Sequence, residues 1–154
     1  MIQTKILLVD DEDTFVSALT KRLSKRHLNV SCASSGAEAL KTLDQEPDVD
    51  VVILDVKMPE MDGIETLRHI KETFPSVEVI MLTGHATFES AIQGMKLGAF
   101  DYLMKPCDLE ELLSKVEEAK AKRRRHLEKI LEATGRDLHR KKSFESGGKP
   151  GQEA

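Results

Sequence analysis

Apolar residues along this chain fall into two alternating patterns. Short, largely β-branched runs at Lys5–Val9, Asn29–Ala33, Val51–Leu54, Val77–Leu82 and Phe100–Met104 have strand length. Runs of this kind suit strands buried on both faces of a sheet. Between them, apolar residues recur at helical spacing: Phe15, Leu19 and Leu23; Ala39, Leu40 and Leu43; Ile64, Leu67, Ile70 and Phe74; Leu109, Leu112, Leu113 and Val116. One further helix, about Thr87 to Leu97, carries the least amphipathic pattern of the set. Gly36, Pro47, Pro59, Gly63, Pro75 and Gly98 punctuate the series. Strands alternating with helices predict repeated βα units on a parallel sheet.

With right-handed crossovers, five such units form an α/β doubly wound, flavodoxin-like sheet of strand order 2-1-3-4-5. That order sets the first and third strands side by side at the switch point, where open α/β sheets place their chemistry. The polar residues that end the strands then matter. The first strand runs into Asp10 and Asp11, the third ends on Asp55, the fourth delivers Thr83, and the fifth delivers Lys105. Three converging carboxylates repel and raise one another's pKa unless a cation joins them. Mg²⁺, with Mn²⁺ as the alternative, takes such oxygen ligands and commonly binds phosphate too. A cation, an ammonium group, a hydroxyl donor and one special carboxylate suit phosphoryl transfer, with Asp55 as the nucleophile.

Composition narrows the class further. At 154 residues, 40% hydrophobic and 32% charged, the chain has the profile of a soluble globular protein with room for one well-cored domain. Its apolar runs are too short to span a membrane, and its first residues lack an export-signal pattern, so the expected location is the cytoplasm. Cys32 and Cys107 show no metal or disulfide spacing, and the five histidines form no ligand cluster. Met58, Met61, Met81, Met95 and Met104 read as core or loop filler.

Charge is unevenly distributed. Residues 119–154 carry a net +6 and the preceding part a net −10. This divides the chain into a globular body over 1–119, a basic helical extension over 120–142, and a flexible Gly/Ser-rich tail over 143–154. The Lys120–Arg125 block reads as a solvated continuation of the last helix. The seam resumes at Leu127, Ile130, Leu131 and Leu138, across a Gly135 expected to break or kink that helix.

Four segments carry a family resemblance: L-L-V-D-D-E-D, V-I-L-D-V-K-M-P-E-M-D-G, M-L-T-G-H and F-D-Y-L-M-K-P, in order at strand ends over about Lys5 to Glu118. Together they resemble the receiver domain of two-component response regulators. The resemblance implies that Asp55 is the phosphoacceptor for a sensor histidine kinase or phosphotransfer protein. It implies that Asp11, Asp55 and the backbone carbonyl of Lys57 bind Mg²⁺, with Asp10 acting through water. Thr83 and Lys105 would hold the phosphoryl oxygens, and Tyr102 would be the switch aromatic. Lys57 and His85 would tune dephosphorylation, and the Lys105–Pro106 bond would be cis.

The expected function is a stand-alone response regulator that is not an enzyme beyond its own phosphorylation and dephosphorylation. Its output would be a protein contact through helix four, strand five and helix five, to a downstream target or a second copy. The C-terminal extension is the other candidate homodimer surface. Two other classes stay open. An Asp-nucleophile phosphatase of the haloacid dehalogenase type needs a second acid two residues after the nucleophile, where Lys57 stands. A nucleic-acid partner for the basic block lacks both interleaved aromatic residues and a recognisable binding module.

Overall fold

The structure, a computed structural model, describes the backbone of residues 3–148 and the side chains of residues 3–135. Strands β1 (Lys5–Val9), β2 (Asn29–Ala33), β3 (Val51–Leu54), β4 (Glu78–Thr83) and β5 (Asp101–Met104) form one sheet. All neighbours are parallel and the order is β2-β1-β3-β4-β5, as the alternating pattern predicts. The connecting helices are α1 (Asp13–Ser24), α2 (Gly36–Gln45), α3 (Gly63–Thr73) and α4 (Phe88–Lys96), and α5 (Leu109–Gly148) follows β5.

The continuous apolar runs make sense once both faces are covered. Leu7, Val9, Val52, Leu54, Val79 and Met81 pack with Ala39 and Leu43 of α2 and Ile64, Leu67 and Ile70 of α3. The alternate residues Ile6, Leu8, Val51, Ile53, Ile80 and Leu82 pack with Leu19 and Leu23 of α1 and Leu112, Val116 and Ala119 of α5. Side chains that alternate across each strand therefore feed two cores. Local caps start the helices. Ser35, Asp62 and Thr87 each accept the backbone N–H three residues on, and Thr87 and Ser90 complete a reciprocal capping box at α4.

The expectation that α4 is the least amphipathic helix is corrected: its apolar residues are as one-sided as those of α2 and α3, but that side faces outward. Only Gly94 of α4 is buried, while Phe88 is 82% exposed and Ile92 and Met95 are exposed too. Met58 and Met81 are core residues, but Met95 and Met104 face solvent, so their reading as filler is corrected.

The basic block is corrected as well. Thr4, Asp50 and Glu78, all buried, lie at the amino ends of β1, β3 and β4. Lys120 Nζ donates to Thr4 Oγ1 at 2.9 Å, and Lys122 Nζ lies 3.6 Å from Glu78 Oε1. Arg123 is buried, donating to Asp50 Oδ1 at 3.3 Å and to the Pro47 carbonyl at 3.1 Å. Half of this segment is therefore docked on the sheet's amino edge rather than solvated.

The chain divides into two compact units, Met1–Arg123 and Arg124–Ala154. In the second, α5 continues through Gly135 to Gly148, so the expected break does not occur. A helical glycine costs only about 1 kcal/mol relative to alanine, and nothing crowds this one. Ile130 and Leu131 of the resumed seam are exposed. Leu138 falls where side chains are not described, and positions 149–154 of the expected flexible tail lie outside the described residues.

Candidate functional site

Backbone pairing sets the strand ends before any side chain is considered. Asp10 N–H donates to the Ala33 carbonyl at 3.1 Å and Asp55 N–H to the Val9 carbonyl at 3.0 Å. On the other side, Lys105 N–H donates to the Thr83 carbonyl at 2.9 Å. Asp10, Asp55 and Lys105 thus each sit one step past the end of their strands, their backbones still held by the neighbouring strand. The β3–α3 loop closes on the same point, with Gly63 N–H donating to the Val56 carbonyl at 2.7 Å. A Cβ at Gly63 would lie 2.0 Å from the Asp55 carbonyl oxygen, so only glycine allows this approach.

Carboxylate oxygens of Asp10, Asp11 and Asp55 lie within 4.8 Å of one another. Asp10 and Asp55 are each 2% exposed, whereas Asp11 is open to solvent. An all-carboxylate oxygen donor set with one open side fits a hard divalent cation that keeps part of its water shell. Burial raises the Asp55 pKa and the charge of Asp10 adds to this, against the Thr83 hydroxyl, the Lys105 charge and the Val56 N–H, which lower it. A buried carboxylate in this position gains from any cation brought beside it.

Lys105 supplies the resident positive charge. Its Nζ is 2.7 Å from Asp10 Oδ2 and 3.1 Å from Glu12 Oε1. Burial alone would lower the Lys105 pKa, but the hydrogen bonds to Asp10 and Glu12 and the Asp55 charge outweigh it and raise it. Asp10 is satisfied on both oxygens, since Oδ1 accepts the Glu12 N–H at 2.9 Å. The Lys105–Pro106 peptide is cis, as the resemblance implies.

Around these groups lies an open cleft of ≈ 380 Å³ lined by Asp11, Glu12, Asp55, Lys57, Met58, Pro59 and His85. Lys57 and His85 therefore stand at its mouth, and both are exposed. Thr83 is fully buried, and its Oγ1 accepts the His85 N–H at 3.0 Å. Tyr102 stands apart from the cleft. Half-buried on β5, it pairs its hydroxyl with Ser90 Oγ of α4 at 2.7 Å. Of the site residues singled out from the sequence, Asp10, Asp11, Asp55 and Lys105 form one cluster, Thr83 is buried at the end of β4, Lys57 and His85 line the cleft, and Tyr102 lies apart from it. Sequence reasoning missed Glu12 and Ser90 as partners. Its nearest signals were the third acid of D-D-E and a Ser three residues after a capping Thr.

Fold and site define a class: an open parallel sheet presenting a cluster of three carboxylates, a hydroxyl and a lysine at one carboxyl edge. Comparison with known proteins makes the class specific. The family model for the response regulator receiver domain matches residues 6–117. The transcriptional regulatory protein ZraR of Escherichia coli K12 is 40% identical over 116 residues, covering 75% of this chain and 26% of ZraR. The regulatory protein AtoC of the same organism is 40% identical over 109 residues, covering 70% of this chain and 23% of AtoC. Among solved structures, a response regulator receiver domain protein from Clostridium thermocellum aligns with TM-score 0.75 at 38% identity, covering 79% of this chain and 97% of that one. A CheY-like receiver protein from Methanospirillum hungatei aligns with TM-score 0.76 at 28% identity, covering 81% of this chain and 99% of that one. The chain belongs to the response regulator receiver domain family of two-component systems. It spans about a quarter of the length of the curated relatives it matches.

Proposed function

We propose that this receiver domain is a phosphorylation switch in which Asp55 is the acceptor. The observation that carries the reading is a buried Asp55 that lines a cleft and lies within 4.8 Å of two further carboxylates, one of which, Asp10, holds the Lys105 ammonium at 2.7 Å. An Asp55 carboxylate oxygen attacks the phosphorus of a phosphohistidine on a sensor kinase or phosphotransfer protein. The phosphorus–nitrogen bond breaks, its electron pair returns to the imidazole, and an acyl phosphate forms on Asp55. Asp10, Asp11, Asp55 and the Lys57 carbonyl would hold the divalent ion, Mg²⁺ or Mn²⁺. When bound, that ion neutralises charge on the transferring group. Lys105 and Thr83 bind the phosphoryl oxygens. The cost of burying Asp55 supports its role, because it makes the residue responsive to its charge environment.

Water later cleaves the acyl phosphate, at a rate set in part by Lys57 and His85 at the cleft mouth. Since Lys57 stands two residues after Asp55, where a phosphatase would carry its acid, the domain acts on its own phosphoryl group and not on external substrates. Movement of Thr83 toward the phosphoryl group would disturb the segment leading through His85 into the capped start of α4. Tyr102, tied to that cap through Ser90, would turn inward, and the α4–β5–α5 face would change its affinity for a protein target or a second copy. Exposed Phe88, Ile92, Met95 and Met104 give this face an apolar character suited to such a contact. Lys120, Lys122 and Arg123 already engage residues of the sheet edge, which weighs against nucleic acid as the partner of the basic block.

Intact-mass spectrometry after acetyl phosphate and Mg²⁺ tests the switch. A single phosphoryl adduct on the wild type, absent from Asp55→Asn, is expected. Equal adducts on both proteins would refute the assignment.

A further inference from the structure

The Lys105 ammonium group is held from three sides, and one of them is not a charge. Besides Asp10 and Glu12, its Nζ lies 3.9 Å from the centroid of the Phe15 ring. All three partners come from the end of β1 and the first turn of α1. They differ in how firmly they can hold. Glu12 is a solvent-exposed side chain, 60% accessible, and exposed ion pairs are weak and easily exchanged. Asp10 is buried, but it belongs to the cation site and must share its charge once an ion enters. Phe15 is half-buried, packed against the core that contains Leu19 and Leu23, and has no competing polar partner to attract it elsewhere.

Packing alone does not call for an aromatic residue here. A leucine would continue the stripe of Leu19 and Leu23 equally well. What the ring adds is a negative face directed at a cation that is itself only 13% exposed, where such attraction is strongest. Lys105 has a long, flexible stem, and fixing its head costs rotamer freedom that a preformed contact spares at the moment of reaction.

Resting on the phosphoacceptor reading above, we propose that Phe15 is a positioning residue for phosphoryl transfer. Its ring face keeps the Lys105 ammonium beside the cleft when Asp10 turns to the cation and Glu12 is released to solvent. Phe15 touches neither the phosphoryl group nor the metal and acts only through Lys105.

The test uses the full chain with phosphoramidate as donor and Mg²⁺ present. Phe15→Leu is expected to slow phosphorylation by about three- to ten-fold, the range such a contact commands, with Mg²⁺ affinity by calorimetry unchanged. Phe15→Tyr, which keeps the ring, should stay within about two-fold of wild type. In a Lys105→Met background, Phe15→Leu should cause no further loss. A structural readout runs in parallel. The Lys105 Hε protons should show an upfield ring-current shift in the wild type and in Phe15→Tyr, and none in Phe15→Leu. Should Phe15→Leu fail to fold, Phe15→Met replaces it. An unshifted Lys105 signal in the wild type, an unchanged rate in Phe15→Leu, or the same loss in the Lys105→Met background each overturns the proposal while the acceptor reading stands. Absence of any phosphoryl adduct on the wild type overturns that reading, and the proposal with it.

Discussion

A methyl group at position 63 would meet the carbonyl oxygen of Asp55, the proposed phosphoacceptor. Gly63→Ala is therefore expected to cost about 2–3 kcal/mol, as overpacking against an unyielding backbone does, and to impair phosphorylation at the same time. Urea denaturation followed by the acetyl phosphate assay checks both effects. Asp55 itself makes a pH prediction. Its folded pKa is raised, chiefly by burial, so between the ordinary carboxylate range and that raised value the folded state binds the extra proton. The metal-free wild type should thus lose stability as pH rises through that interval and regain it as pH falls. Asp55→Asn should be more stable than wild type at neutral pH without Mg²⁺ and show a flatter profile, measurable as urea midpoints over a pH series. At this scale the sequence was legible where chemistry contradicted packing. Asp10, Asp11, Asp55 and Lys105 each interrupt or follow an apolar run that a core would have continued. Phe15 and Glu12 were not legible as partners of Lys105. One is identical in pattern to a core stripe residue, and the other to an acid at a helix start.

Among the elements, α5 carries the clearest disagreement between local pattern and tertiary result. The five cations from Lys120 to Arg125 look like a solvated face, because the sheet-edge partners of Lys120, Lys122 and Arg123 lie far away in sequence. Asp50, which pairs with Arg123, is 73 residues earlier, and no helical periodicity reveals such a pairing. Asp50 Oδ2 also accepts the Lys5 N–H at 3.0 Å, but losing the guanidinium from Oδ1 breaks a buried ion pair from one side, which is strongly destabilising. Arg123→Ala should therefore cost about 3 kcal/mol in urea denaturation, whereas Arg125→Ala, at an exposed position, should fall within about 0.5 kcal/mol of wild type. The α4 helix gives the converse case. Its pattern reads as the least amphipathic of the set, yet Phe88, Ile92 and Met95 share one outward face, and Gly94 is its buried residue, 3.6 Å from the Tyr102 ring at its would-be Cβ. Phe88→Ser should be nearly neutral for stability, within about 0.5 kcal/mol, and any loss it causes should appear in binding to the protein target.

For the whole molecule, two opposite edges of one sheet do different work. The carboxyl edge gathers Asp10, Asp11, Asp55, Thr83 and Lys105, and the amino edge gathers Thr4, Asp50 and Glu78 with the docked cations of α5. The strand order and the position of the site followed from the alternation of short apolar runs and helical stripes, since crossover handedness leaves few ways to arrange five βα units. The amino-edge lock did not follow, because a parallel sheet requires nothing polar there. A chain ending at Arg124 should retain the unfolding midpoint of Met1–Arg123, the compact unit that holds both cores. One ending at Ala119 should unfold at lower urea.

The decisive point is which side chain receives the phosphoryl group. Borohydride reduction after phosphoramidate and Mg²⁺ converts an aspartyl phosphate to homoserine, which peptide sequencing by mass spectrometry then locates. Homoserine at position 55, dependent on Mg²⁺, lost in Asp11→Asn and reduced but still measurable in Lys105→Met, is the predicted result. Homoserine at another aspartate in the wild type, with position 55 unmodified, would contradict the central claim.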